Sequence, residues 1–335
     1  MNDYNNWPKA VAGQELASKG FIRHYRLFGL NISSEWEIPG LRRGNPDLPV
    51  DVQITRGWVD FPVAKPMPGY HHMEGGAAVL FIPKVARYEI RFGNQIVIDS
   101  EHGTSARNIN LYLLGSAFGA LLHQREALPL HANAVEIKGS AVAFIGPSGA
   151  GTSTLAAWFH DRGYPVLADD ICVVGFVGEG PVVYPGIPRL RLWREALERS
   201  GRTANEHEMS FDDYEKYDVR TRQAVGSDPL PLRAIYGLSA APSSDLQITR
   251  LKGVKAVDLL ASNTYRGGFL TSPEQRQRHF NQCLAVAARA AIFSAQRTFD
   301  LAMFENVSCQ LEAHALLAKA PGMSSAGSIL GGTVG

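Results

Sequence analysis

Apolar and polar positions alternate along the first hundred residues, and then the period changes. Strand-like stretches run through IRHYRLFGLNI, VDVQIT, AAVLFIP and ARYEIRFGNQIVID between residue 22 and about 100. Turn-rich clusters separate them: PGLRRGNPDLP, FPVAKPMPGY and MEGG. Short alternating runs bounded by Gly and Pro predict strands and turns, hence a β-rich N-terminal domain over 21–105 after a flexible arm at 1–20. In NINLYLLGSAFGALLHQ (108–124), Leu111, Leu114, Phe118, Leu121 and Leu122 share one helical face. That spacing predicts a linking helix within 106–127. From 128 to 320 strands and helices alternate, so the class is α/β. VAFIG (142–146) reads as a buried strand and STLAAWFHDRG (153–163) as a helix closed by glycine. PVLADD (165–170) reads as a second strand that ICVVGFVG continues, and LRAIYGLSA (232–240) as a third. PEQRQRHFNQCLAVAARAAIF (273–293) and FENVSCQLEAHALLAKA (304–320) read as helices. The Gly/Ser-rich tail, 321–335, predicts disorder.

Composition narrows the function classes. A net charge of +1 gives no bulk reason to expect nucleic acid or an anionic membrane as partner. Cys172, Cys283 and Cys309 are odd in number and far apart, with no C-x-x-C. That argues against a disulfide framework and a cysteine zinc site, and fits a reducing cytoplasm. MNDYNNWPKA lacks the basic-then-apolar pattern of a signal peptide. The most apolar run, LAVAARAAIFSA (284–295), is interrupted by Arg289 and is too short to span a bilayer.

The chemistry concentrates at 146–154, GPSGAGTST. A phosphate loop reads G-x-x-x-x-G-K-[ST]; here Gly146, Gly151 and Ser153 fit, and Thr152 stands at the lysine position. Such a loop bares backbone N–H groups toward phosphate oxygens, and the helix that follows adds its positive end. The predicted strand–loop–helix order supplies that context. Gly146, Pro147, Ser148, Gly149, Ala150, Gly151, Thr152, Ser153 and Thr154 are therefore the candidate nucleotide cradle, with Ser153 as a Mg²⁺ ligand. Loss of the lysine removes a charged hydrogen bond of about 1.5–3 kcal/mol, roughly tenfold to a hundredfold in binding. Another cation would have to reach in; Arg189, Arg191, Lys216, Arg220 and Arg222 are candidates, Arg189 foremost.

Asp169 and Asp170 close the strand after the loop helix. A ten-residue helix returns the chain by about 15 Å, so a short strand brings both carboxylates back to the loop's edge of the sheet. Alternation sends their side chains different ways, one free to hold Mg²⁺ and one to take a proton from an attacking hydroxyl. His131, just before the strand that enters the loop, is a candidate phosphate contact or proton relay.

Taken together, LPLHANAVEIKGSAVAFIGPSGAGTSTLAAWFHDRGYPVLADD resembles the HPr kinase/phosphorylase family. More narrowly, the chain is similar to HPr-kinase-related proteins found beside lasso-peptide gene clusters, through YRLFGLNISSEWEIPGL, LYLLGSAFGALLHQREALPLHA, VVYPGIPRLRLW and PLPLRAIYGL as well. The resemblance implies a P-loop core akin to HPr kinase and phosphoenolpyruvate carboxykinase at 128–320, preceded by the smaller β-rich domain. It implies ATP and Mg²⁺ as cofactors and a peptide or small-protein phosphoacceptor. It places the catalytic base on Asp169, a catalytic histidine on His131, and Mg²⁺ ligation on Ser153 with help from Asp170. Hexamers occur in that family, which leaves room for a homo-oligomer. The family's E-V-R-G-x-G signature is absent, and YPGIPRLRLW stands in its place.

Two readings follow. One is an ATP-dependent serine kinase, which the intact Asp169 favours. The other is a nucleotide-binding pseudokinase or peptide-binding module, which Thr152 favours. A carboxykinase-type small-molecule enzyme fits less well, because no carboxylate-binding arginine set is evident.

Overall fold

The computed structural model describes residues 21–61, 67–203, 208–211, 214–221, 226–241, 245–298 and 300–318. The arm and the tail read from the sequence, and Arg222, lie outside these. The architecture is mixed α/β with three sheets.

The first sheet has eight strands, all drawn from residues 23–100. Two of its hairpins turn on the same dipeptide. Phe28–Gly29 joins Arg23–Leu27 to Leu30–Ser34, and Phe92–Gly93, followed by Asn94, joins Ala86–Arg91 to Gln95–Ser100. The two Phe–Gly pairs have positive φ, between 51° and 77°, the turn conformation whose twist matches paired strands. A phenylalanine is strained there. At Phe28 burial offsets the strain: the ring packs edge-on to Phe118, and the backbone N–H donates to the Pro185 carbonyl at 3.1 Å.

The linking helix forms as its periodicity predicts, with one irregularity. Ala106–Tyr112 and Phe118–Gln124 are α-helical, and a π-turn at Leu113–Ala117 joins them. Ser105 caps the start by accepting from the Asn108 N–H, worth about 1 kcal/mol. Gly115 and Gly119 let Tyr265 approach the helix closely. A Cβ at Gly119 would lie 3.0 Å from the Tyr265 ring, and one at Gly115 3.3 Å from its hydroxyl. The helix buries its apolar face against the first sheet, and this core also takes in Ile171 and Val173. The segment just after the two aspartates is thus anchored in the first sheet's core.

The nine-stranded sheet carries the candidate chemistry. Ser140–Ile145, Leu230–Ala240 and Ala291–Arg297 lie side by side and parallel. Val166–Ala168 and Ser140–Ile145 flank Ala132–Ile137, each antiparallel to it. All four of these strands therefore end at one edge. Their apolar runs (SAVAFI, LPLRAIYGLSA, AIFSAQR) are buried on both faces, as in parallel sheets.

Three expectations need correction. ICVVGFVG does not continue the strand at 166–168. The chain turns at Asp169–Asp170, where Asp170 has φ 65°, and Cys172–Val177 pairs instead with Gly180–Tyr184 and Leu128–Leu130. The helix expected over 273–293 ends at Arg289, because Ala290 is extended and Ala291–Arg297 joins the sheet. Pairing with the long strand overrides the helix propensity of an alanine-rich run. The last helix stops at Leu317.

A third, three-stranded sheet sits beside the aspartates. Arg189–Trp193 pairs with Tyr214–Arg220, which pairs with Glu208–Phe211.

Candidate active site

The glycine loop leaves the sheet edge at Gly146 and enters the helix Thr152–Asp161. Gly146 is required by crowding: a Cβ there would lie 2.8 Å from the Leu238 carbonyl oxygen. Gly149 and Gly151 are required by conformation, with φ 85° and 77°. The tip, Pro147–Gly149, is exposed, and Ala150 is buried with its N–H turned back to the Pro147 carbonyl at 2.9 Å. Thr152, Ser153 and Thr154 form the first turn of the helix and are partly exposed. Their N–H groups have no earlier helical carbonyl to serve.

The cation touching this loop comes from the far end of the chain. Arg297, 3% exposed, closes the strand Ala291–Arg297, and its Nη2 donates to the Ala150 carbonyl at 2.7 Å. Gly151 makes room for it, since a Cβ there would lie 2.7 Å from that nitrogen. Burial pushes the guanidinium pKa down from its ordinary value, yet an arginine stays charged. Gly151→Ala is therefore expected to cost about 1–2 kcal/mol from backbone strain alone and to displace Arg297. Calorimetric titration should then find phosphate binding lost while the fold persists.

The basic residues singled out from the sequence lie instead around the carboxylates. Arg189 donates to Asp218 at 2.7 Å. Arg191 Nη1 is 3.5 Å from Asp170, and its Nε 3.5 Å from Asp218. Lys216 Nζ is 3.4 Å from Asp170. Arg220 is exposed at the end of the central strand of the sheet that carries them. Alternation along Arg189–Trp193 puts Arg189 and Arg191 on one face, opposite Arg220 and Asp218 of the neighbouring strand.

Asp169 and Asp170 have different surroundings. One Asp169 oxygen accepts from Asn133 Nδ2 at 2.6 Å, and the other from the Arg191 backbone N–H at 2.5 Å. Burial, and then the Asp170 charge beside it, push its pKa up to about 7. Burial would raise Asp170 too, but Lys216, Arg191 and His131 outweigh it and hold the carboxyl below the usual range. The pair is thus divided: Asp170 stays ionised, and Asp169 exchanges its proton near neutrality. Two titratable groups pushed apart in this way are candidates for acid–base chemistry. The strand arrangement sets the distance to the loop. Asn133 pairs with Phe144, and Ala168 with Ala134, so Asp169 lies two strand spacings, about 10 Å, from the loop strand.

His131 is exposed, with Nδ1 3.1 Å from the Asp170 carbonyl oxygen and its own N–H bonded to the Asn263 carbonyl. It reaches the aspartate turn through that backbone oxygen. Asn133 carries no motif of its own in the sequence; it sits second in the strand Ala132–Ile137, just after His131, which lies in the bend before that strand. Arg297 carries no local signal either.

Among the described residues no group of three or more His, Cys, Asp and Glu side chains converges as a metal cage. Mg²⁺ does not need one; it takes one or two carboxylates and fills its shell with phosphate oxygens and water. The Ser153 hydroxyl and the Asp170 carboxylate are hard oxygen donors that fit this requirement. The contacts of Asp170 to its cations, 3.4 and 3.5 Å, are looser than a normal charge-assisted bond and leave it capacity for a further ligand.

A cavity of about 660 Å³ opens beside the loop and is lined by Gly149, Gly151, Thr154, Trp158, Arg297 and Phe304, among others. Neither aspartate belongs to it.

No protein-family model and no curated protein matches this chain. Among solved structures, the HPr(Ser) kinase/phosphatase from Coxiella burnetii is similar at a TM-score of 0.29 and 9% identity, over 56% of this chain and 97% of that one. That score is too low to establish a shared fold.

Proposed function

We propose that the protein transfers the terminal phosphoryl group of ATP to a hydroxyl on a peptide or small protein. The observation that carries this reading is Asp169: a carboxylate with a near-neutral pKa, held at both oxygens, at the same sheet edge as the glycine loop. In this reading the loop amides and the first turn of the helix hold the phosphates. Ser153 and Asp170 would hold Mg²⁺, which neutralises charge across the phosphate oxygens. Asp169 accepts the proton of the acceptor hydroxyl. The hydroxyl oxygen bonds to the γ-phosphorus, the bond to the bridging oxygen breaks, and ADP leaves with that electron pair. Positioning and charge stabilisation are most of the catalysis in such transfers.

Asn133 suits the base in both protonation states. Its amide donates to the ionised carboxylate as found, and rotated by 180° it accepts from the protonated acid. The second reading, nucleotide binding without transfer, is favoured by Thr152 at the lysine position. A pH profile separates the two. If Asp169 is the base, kcat/KM for ATP turnover rises with pH and levels off near 7. A profile flat over roughly pH 5.5 to 8.5, or no turnover at all, removes Asp169 from that role.

A further inference from the structure

We infer that the cavity beside the loop is the seat of the nucleoside, so that the glycine loop divides the site into a nucleoside side and an acceptor side. This rests on the nucleotide reading above and names where the rest of that nucleotide goes. The cavity begins at the loop itself, at Gly149 and Gly151, and runs down one face of the loop helix through Thr154, Ala157, Trp158 and Asp161. Those four positions follow i, i+3, i+4, i+7, a single helical stripe. A phosphate chain anchored on the loop therefore has a continuous path along the helix, away from Asp169.

The volume and walls fit a nucleoside. About 660 Å³ is far more than phosphates occupy and lies within the range of small-molecule sites. Apolar walls come from Ala157, Trp158, Ala196 and Phe304, which suit the faces of a flat heterocycle. The rim is polar and of both signs, with Arg199 and Asp300 among its groups, which suits the donor and acceptor edges of a base and the ribose hydroxyls. Two walls are braced. Trp158 Nε1 donates to Glu305 at 2.6 Å, tying the loop helix to the last helix. Arg202 and His160 bond Asp161, fixing the far end of the stripe. Bracing of this kind keeps a pocket formed before its ligand arrives.

The test compares two ligands that share phosphates and differ in the nucleoside: Mg²⁺–ATP and Mg²⁺–tripolyphosphate, titrated calorimetrically. Two variants fill the cavity from the short helix Arg194–Arg199 and its end, Ala196→Trp and Ser200→Trp. The wild type is expected to bind ATP at least about tenfold more tightly than tripolyphosphate. Each variant is expected to lose about tenfold or more in ATP affinity and to keep its tripolyphosphate affinity. Variants that bind ATP as the wild type does would overturn the nucleoside seat and leave the phosphate loop standing. Loss of both ligands in both variants also contradicts it, since a space holding only the nucleoside can be filled without cost to the phosphates. A wild type that binds neither ligand removes the nucleotide reading as well.

Discussion

Asp169→Asn is expected to lower ATP turnover by about 10²–10⁴-fold while leaving Mg²⁺–ATP affinity within a few-fold of wild type. An asparagine keeps the size of the side chain and cannot accept the hydroxyl proton. Its oxygen still accepts from the Arg191 N–H, and its amide donates to Asn133 once that amide has rotated. The local hydrogen bonds therefore survive. The variant should also be no less stable than wild type at pH 8. Asp169 has a folded pKa of about 7, above its unfolded value of 3.8. The native state thus favours its protonated form. The stability this gives is fully present below the unfolded pKa and is lost as pH rises through the folded one. Between those limits wild-type stability falls with pH, and Asp169→Asn flattens that slope. Thermal melts from acid to alkaline pH, beside turnover assays, check both halves. A variant that turns over ATP like wild type denies Asp169 the proton. One that melts far below wild type at pH 8 makes the residue structural.

Arg297→Met is the second large effect. The thioether fills much of the guanidinium's volume without its charge or its bond to the Ala150 carbonyl. A charged hydrogen bond contributes about 1.5–3 kcal/mol; lost here, it loosens the loop in the free protein, and if that order must be restored on binding, Mg²⁺–ATP affinity is expected to fall by up to the same amount, roughly tenfold to a hundredfold. The fall arises because Arg297 is the cation beneath a loop whose lysine position is Thr152. It follows that Thr152→Lys, added to Arg297→Met, should recover part of the affinity by supplying a charge from within the loop. Arg297→Met binding as well as wild type would show that the guanidinium serves the fold alone.

The difference between what was legible in the sequence and what was not has a physical basis. The glycine loop, its flanking strand and helix, and the two aspartates lie within 31 residues, 140–170. Local rules of turn chemistry, periodicity and helix rise suffice to place them. The β-rich run before residue 100 was legible for the same reason, since alternation and turn residues are local signals. Arg297 was not legible, because it reaches the loop only when Ala291–Arg297 pairs with Leu230–Ala240, and the start of that strand reads as the end of a helix in isolation. The basic residues near 189–222 were legible as a cluster but not by partner. Whether they face phosphates or aspartates depends on where the three-stranded sheet docks, and it places Arg191 and Lys216 on Asp170. Asn133 was not legible as a site residue either, because its partner lies 36 residues away.

The measurement that bears most directly on the central claim is Mg²⁺–ATP binding and turnover by wild type, Thr152→Lys and Asp169→Asn, side by side. The account predicts that all three bind, that wild type and Thr152→Lys turn over ATP, and that Asp169→Asn does not. Binding without turnover by the wild type would leave a nucleotide-binding protein with an idle base. If none of the three binds Mg²⁺–ATP, GPSGAGTST is only a turn between a strand and a helix, and the phosphoryl-transfer account is wrong.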